Sequence, residues 1–363
     1  MRQLSASIGV GTKSAVVLAF VAFALLAVQP AARAADQNAY SMTPLVSNVA
    51  GVAAVTDPHL VNAWGLDASP TSPWWVSDNG VDVTTLYRAD GTKVGLEPGV
   101  AGAPTGLVFA GRPGNFLTGP SNAASAFIFS TEGGTINGWA GGMASAQVKV
   151  DESDVGAIYK GLAIANTPDG PMIYATDFAR ARVDVYNGAW EDVDTEGGFV
   201  DPMMPAGFAP FGIQTIGDRI FVTFAKQGVP EDGGLDEVAG QGLGFVDAFD
   251  TAGNLLVRVA QRGQLNAPWG LAMAPSSFGR FGGDLLVGNF ADGEINAYEE
   301  MPNGHFEYRG VLRTSDGQPL VIDGLWALEF GHGATNNGLR GTLFFTAGPN
   351  DEEDGLFGSI LPA

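Results

Sequence analysis

Short apolar runs, each fenced by glycine, proline, asparagine or aspartate, recur along the chain. Six of them are Trp74-Trp75-Val76, Phe127-Ile128-Phe129, Met172-Ile173-Tyr174, Ile220-Phe221-Val222, Leu285-Leu286-Val287 and Leu343-Phe344-Phe345. Runs this short, rich in aromatic and β-branched residues and bounded by turn formers, predict buried strands rather than helices. A polar loop follows each run, and then comes a segment of alternating character, such as Val183-Asp184-Val185-Tyr186 or Ile295-Asn296-Ala297-Tyr298. Turn dipeptides come next, at Asp90-Gly91, Asn187-Gly188, Ala252-Gly253 and Asn303-Gly304. A fourth, more polar strand closes most of the units and is clearest at Leu255–Val259.

Ahead of each apolar run stands an opening triplet of variable residue, glycine and aliphatic residue. The copies are Trp64-Gly65-Leu66, Thr105-Gly106-Leu107, Lys160-Gly161-Leu162, Phe211-Gly212-Ile213 and Trp269-Gly270-Leu271, with a degenerate sixth at Trp326-Ala327-Leu328. Successive openers lie 41, 55, 51, 58 and 56 residues apart, the length of a four-stranded propeller blade. The pattern predicts an all-β, six-bladed β-propeller with blades at roughly 60–100, 104–152, 159–203, 209–262, 267–316 and 323–361. The last blade runs out after three strands, and an orphan strand at 43–49 is available to complete it, so that the ends of the chain close the ring. A β-sandwich has no reason to repeat one unit six times in order.

Composition narrows the function classes. Hydrophobic residues make up 45% of the 363 residues, enough for a large core, and the 52 glycines suit a chain full of turns. The absence of cysteine excludes a disulfide framework, thiolate metal sites and a cysteine nucleophile. A net charge of −21 is incompatible with a phosphate-backbone partner, so no nucleic acid is expected. At the start, Arg2 and Lys13 precede the uncharged run Ala15–Val28 and the small-residue site Ala32-Arg33-Ala34. This order predicts a cleaved signal peptide over 1–34 and a periplasmic or extracellular protein. Cleavage removes three basic residues and no acid, taking the formal charge from −21 to −24. Fourteen apolar residues fall short of the roughly 20 that span a bilayer, and no integral membrane segment is expected after cleavage.

Asp57-Pro58-His59-Leu60-Val61-Asn62-Ala63-Trp64-Gly65-Leu66, followed by Trp74-Trp75-Val76-Ser77-Asp78-Asn79, resembles an uncharacterised family of exported bacterial proteins. Ala267-Pro268-Trp269-Gly270-Leu271 and Asp323-Gly324-Leu325-Trp326 resemble its later landmarks. Some members of that family carry a C-terminal PEP-CTERM sorting tail, which the ending Ile360-Leu361-Pro362-Ala363 does not match. The fold that the resemblance implies is similar to propellers of the NHL kind. It implies no activity and no site residues.

Loops that follow the outer and second strands should open on one face around the channel. That assignment gathers His59, Asn62, Asp78, Asn79, Glu132, Asp177, Asn289 and Asp323, together with Asn350, Asp351 and Asp354. Converging carboxylate and amide oxygens suit a hard cation, so Asp78, Asp177, Asn289 and Asp323 are the candidate Ca²⁺ ligands. The same residue types also serve as Asx-turn formers. Of the three histidines, only His59 falls on this face and could act as a base near neutral pH. No P-loop, His-Glu-x-x-His or Gly-x-Ser-x-Gly pattern occurs. The acidic, glycine-rich stretch 225–241 reads as a long loop, either a binding loop or solvated surface. Two functions follow: a monomeric scaffold that binds a protein or glycan, or a Ca²⁺-dependent hydrolase of a lactone or ester. Whether the protein is an enzyme is left open by the sequence.

Overall fold

The computed structural model describes Gly9 and residues 37–229 and 236–363. The expected signal peptide and residues 230–235 of the blade 4 loop lie outside the described residues. Six antiparallel sheets follow one another around a ring. Blade 1 is Ala63–Asp67, Trp74–Asp78 and Val83–Tyr87; blade 2 is Pro104–Phe109, Phe127–Thr131, Thr135–Trp139 and Gln147–Asp151. Blade 3 is Tyr159–Thr167, Gly170–Asp177 and Arg182–Asn187; blade 4 is Phe208–Ile216, Arg219–Lys226, Gly244–Phe249 and Leu255–Gln261. Blade 5 is Pro268–Met273, Leu285–Asn289, Ile295–Glu300 and Phe306–Val311. Blade 6 holds Leu325–Phe330, Leu343–Ala347 and Leu356–Pro362, and takes its fourth strand, Tyr40–Ser47, from the other end of the chain. That closing pair runs from Tyr40 opposite Pro362 to Ser47 opposite Leu356, with one shift of register between Pro44 and Val46. In blades 1 and 3 the outermost position is held only by isolated bridges, Val83 to Gly99 and Tyr87 to Lys93 in blade 1 and Tyr186 to Asp192 in blade 3.

Every apolar run of the sequence is a second strand, buried on both faces between neighbouring blades. The core is therefore divided into clusters that follow the interfaces. Trp75, Leu107, Phe127 and Trp139 fill the space between blades 1 and 2, and Leu286, Leu325, Phe345 and Ile360 that between blades 5 and 6. Truncating such a side chain to alanine costs about 3–5 kcal/mol.

The openers are the innermost strands, and their glycines have a steric cause. Each of these strands slips register at the opener, as between Ala63 and Leu66 or between Pro268 and Leu271. The bulge presses the backbone of one blade against the next. A Cβ at Gly212 would lie 2.1 Å from the carbonyl oxygen of Trp269, and one at Gly270 2.5 Å from that of Trp326. Buried threonines stitch the same ring, with Thr105 donating to the Tyr159 carbonyl and Thr176 to that of Phe211, each at 2.7 Å. Among the described residues no helix is long and apolar enough to cross a membrane.

Candidate functional site

The residue before each opener glycine occupies an equivalent place in six consecutive blades: Trp64, Thr105, Lys160, Phe211, Trp269 and Trp326. Their contacts meet across the ring. Trp64 stacks on Trp326 at 3.6 Å, Phe290 stacks on Trp326 at 4.1 Å, and Trp269 meets both Trp64 and Trp326 edge-on. Trp269 Nε1 donates to the Lys160 carbonyl at 3.1 Å. The indoles thus close the channel with one another, and their faces are not free to stack on a ligand. Below them remains a void of about 30 Å³, lined by Gly65, Leu107, Leu162, Gln214 and Glu329 among others.

Lys160 is the exception in this ring. It is 1% exposed, and its ammonium lies 5.1 Å from the centre of the Trp64 ring and 6.0 Å from that of Phe178. Nζ donates to Glu132 Oε1 at 2.6 Å and reaches Asp236 Oδ1 at 3.4 Å. From there one hydrogen-bonded chain crosses the mouth. Asn79 Nδ2 donates to Glu132 Oε2 at 2.9 Å, and Asn62 Nδ2 donates to Asn79 Oδ1 at 3.2 Å and to Glu352 Oε2 at 2.6 Å. Asn62 Oδ1 in turn accepts from Trp326 Nε1 at 3.0 Å.

Burial alone would push the Lys160 ammonium down, but the surrounding carboxylates, Glu132 foremost, hold it above its ordinary value. Burial likewise opposes the Glu132 carboxylate, and the charge of Lys160 brings it below the usual range. Glu237 and Glu352 share that single cation less directly. Burial pushes Glu237 up to about 7 and raises Glu352 as well.

The opposite end of the channel is built differently. Asp67, at the end of the first strand of blade 1, accepts from Ala68 N and from Phe109 N of blade 2, each at 2.6 Å. Gln214 of blade 4 donates to Glu329 Oε2 of blade 6 at 2.9 Å, and His332 Nε2 stands 3.5 Å from Glu329 Oε1. Burial and then the charge of Glu329 push Asp67 up to about 7. The hydrogen bond with Glu329 raises His332 above its usual value.

Of the residues expected on the upper face, the structure brings Asn62, Asn79 and Glu132 into one network. The others serve elsewhere. His59 is exposed and pairs with Glu97 at 2.5 Å, beside Lys93 in the outer part of blade 1. Asp78, Asp177 and Asn289 each end a second strand and tie down nearby backbone. Asp78 accepts from Thr85 N at 2.8 Å, and Asp177 from Ile158 N at 3.2 Å and from the Arg180 side chain. Asn289 accepts from Asn266 N at 3.2 Å and donates to the Gln264 carbonyl at 2.7 Å. Asp323 is exposed and accepts from Asn350 N at 3.0 Å. The four candidate calcium ligands therefore bond to four separate sets of partners. Burial raises Asp78 well above its ordinary value. Among the described residues no group of three or more His, Asp or Glu is arranged to hold a metal ion.

Sequence reading missed Lys160 and Glu352, and marked the acids of the blade 4 loop only as part of the stretch 225–241. For Lys160 the signal was present, since it is the one charged residue at a position otherwise held by aromatic residues or threonine. Glu352 stands between Asp351 and Asp354, which were singled out, and only the fold turns it inward to Asn62.

No established family model matches the chain. Among solved structures, the fold is similar to a protein of unknown function from Bacteroides thetaiotaomicron (TM-score 0.54, 11% identity, 89% of this chain and 76% of that one). It is also similar to a streptogramin B lyase (TM-score 0.53, 10% identity, 88% and 97%). Virginiamycin B lyase from Staphylococcus aureus superposes at TM-score 0.50 with 13% identity over 89% of this chain and 99% of that one. At these identities the likeness is one of fold alone. By sequence, the chain is 32% identical over 339 residues to uncharacterized protein R648 of Acanthamoeba polyphaga mimivirus, covering 87% of this chain and 78% of that protein. It is 30% identical over 334 residues to uncharacterized protein L690 of the same virus, covering 87% and 84%. These relatives are viral, so the affiliation with exported bacterial proteins rests on the sequence motifs alone. The chain belongs to the family of uncharacterised proteins that includes R648 and L690.

Proposed function

We propose that the protein is a binding scaffold whose upper channel mouth receives a cationic group presented by a partner protein. One observation carries the reading: Lys160 is the single cation among Glu132, Asp236, Glu237 and Glu352, and its closest bond is to Glu132. The mouth thus holds more negative charge than its own cation offsets, on a chain whose net charge is already −21. A lysine or arginine side chain entering the mouth would meet carboxylates held ready by Asn62 and Asn79, with aromatic rings behind them. The segment 1–34 supports action outside the cytoplasm, and mass spectrometry of the exported protein should show a chain beginning near residue 35.

The other reading, a calcium-dependent lactone or ester hydrolase, would require Asp78, Asp177 and Asn289 to leave their present partners before they could coordinate one ion. Nothing in their geometry favours it over binding.

Hexalysine titrated into the purified protein tests the proposal by calorimetry. The Glu237→Gln, Glu352→Gln double variant should bind at least about tenfold more weakly. Asp169→Asn, at an exposed acid on the opposite face, should bind as the unmodified protein does. Equal losses from both variants would mean diffuse attraction to an acidic surface and would remove the mouth as the site.

A further inference from the structure

The face opposite the mouth carries a cleft of about 430 Å³, lined by Arg112, Ile164, Ala165, Asn166, Thr215, Gly217, Asp218 and Thr251. Arg112 reaches it from blade 2, in the loop after Phe109. Asp218 reaches it from blade 4, in the turn between Phe208–Ile216 and Arg219–Lys226. The end of the first strand of blade 3, Ile164 to Asn166, lies between them.

The polar groups of this cleft are unspent. Arg112 Nε and Thr215 Oγ1 are shut off from water and have no hydrogen-bond partner among the described residues. Buried polar atoms are rarely left so, and each such case calls for a reason. Arg112 joins no ion pair among the described residues, although the chain carries 39 acidic residues to 18 basic ones. Asp218 joins none either, so two opposite charges line one cleft without pairing. A guanidinium fork is shaped for a carboxylate, which it grips through two parallel hydrogen bonds. A carboxylate at the far end suits an ammonium.

We propose that this cleft binds a small zwitterion, an amino acid or short peptide, with its carboxylate on Arg112 and its amino group on Asp218. Asn166 lines the cleft on the blade between the two charges, and Ile164 and Ala165 offer an apolar wall for a side chain. The volume suits a dipeptide with an aliphatic residue. This site is separate from the channel mouth, and neither proposal depends on the other.

Calorimetry on the purified protein with glycyl-L-leucine tests it, with L-leucine as a shorter probe. Saturable binding with Kd at or below about 1 mM is expected. N-acetylglycyl-L-leucine and glycyl-L-leucinamide should each bind about tenfold more weakly or worse. Arg112→Gln should erase the preference for the free carboxylate, and Asp218→Asn the preference for the free amine, with unchanged thermal midpoints showing that both variants fold. Three outcomes would overturn the assignment. One is no binding of either probe up to about 10 mM. Another is equal binding of free and capped peptides. The third is acetate competing as well as the dipeptide while Asp218→Asn changes nothing, which would leave a simple oxyanion site.

Discussion

The two ends of the channel are made by the same six strands, yet they hold charge in opposite ways. At the upper end a buried ammonium sits among carboxylates, and its main partner Glu132 is drawn below the usual range. At the lower end Asp67 and Glu329 act on each other with His332 as the one ion-pair partner among the described residues, and Asp67 is pushed up to about 7. Position along the strand decides this. Residues at the start of an innermost strand point into a plug of indoles, where Lys160 can be matched with acids from loops. Residues at its end meet backbone N–H groups and amides, which hold a carboxyl group in place without cancelling its charge. Compensation keeps the central pair of the upper end charged across the neutral range, and its lack makes the lower end sensitive to pH.

The largest effect should come from removing the waist that both ends share. Gly212→Val would drive a Cβ into the Trp269 carbonyl at 2.1 Å, a backbone contact that cannot rotate away. We expect a loss above about 4 kcal/mol in chemical denaturation, or failure to fold. A folded variant of unchanged stability would refute the close approach of the inner strands of blades 4 and 5.

Next comes Lys160→Met, which leaves the half-buried Glu132 without its cation. Breaking one side of a fully buried pair costs about 3–5 kcal/mol, and the partial exposure of Glu132 lowers the expected loss to about 2 kcal/mol, whereas removing both partners costs less still. The Lys160→Met, Glu132→Gln double variant should therefore recover most of the loss, and the coupling energy of the cycle measures how completely the upper end is compensated. Additive losses would refute the pairing.

A smaller effect separates the ends by pH. The folded-state pKa of Asp67 lies above its unfolded value, so between 3.8 and about 7 the folded chain holds an extra proton there. Stability from this group falls as pH rises through that window and returns on acidification. His332, also raised, acts with the same sign, since its contribution is lost as pH rises through its folded value. The thermal midpoint should thus increase from pH 7.5 to 5.5. Glu329→Gln, which keeps an acceptor for Gln214 but removes the charge, should cut that increase by about 2–4 °C. An unchanged pH response would place its origin elsewhere, in Glu237 or Asp247, each also pushed up to about 7.

The smallest effect expected is that of calcium. Asp177 and Asn289 are engaged with their own loops, and Ca²⁺ added after chelation should move the midpoint by less than about 1 °C. A saturable rise would restore the metal reading and demand a rearrangement of those loops.

Much of the fold was legible because a blade repeats. Gly65, Gly106, Gly161, Gly212 and Gly270 are kept apart by blade length and are required by contact between blades, so spacing and residue type pointed the same way. The closing strand was legible too, although its span is Tyr40–Ser47 rather than 43–49. The site was less so. Asp78, Asp177 and Asn289 looked like ligands because strand ends that pin loops use the same oxygens as strand ends that bind ions. Only their hydrogen bonds separate the two roles. The importance of Lys160 comes from partners far along the chain, Glu132 and Asp236, which no local pattern connects to it.

The seam between Tyr40–Ser47 and Leu356–Pro362 also governs when the molecule can be finished. Asn48 and Asp354, 3.0 Å apart across it, are 306 residues apart in sequence. The ring therefore stays open until nearly the whole chain is in hand, and a nascent chain presents an unpaired strand edge for most of its synthesis. Short C-terminal truncations should be disproportionately damaging, because they would unlatch Tyr40–Ser47 along with the last strand.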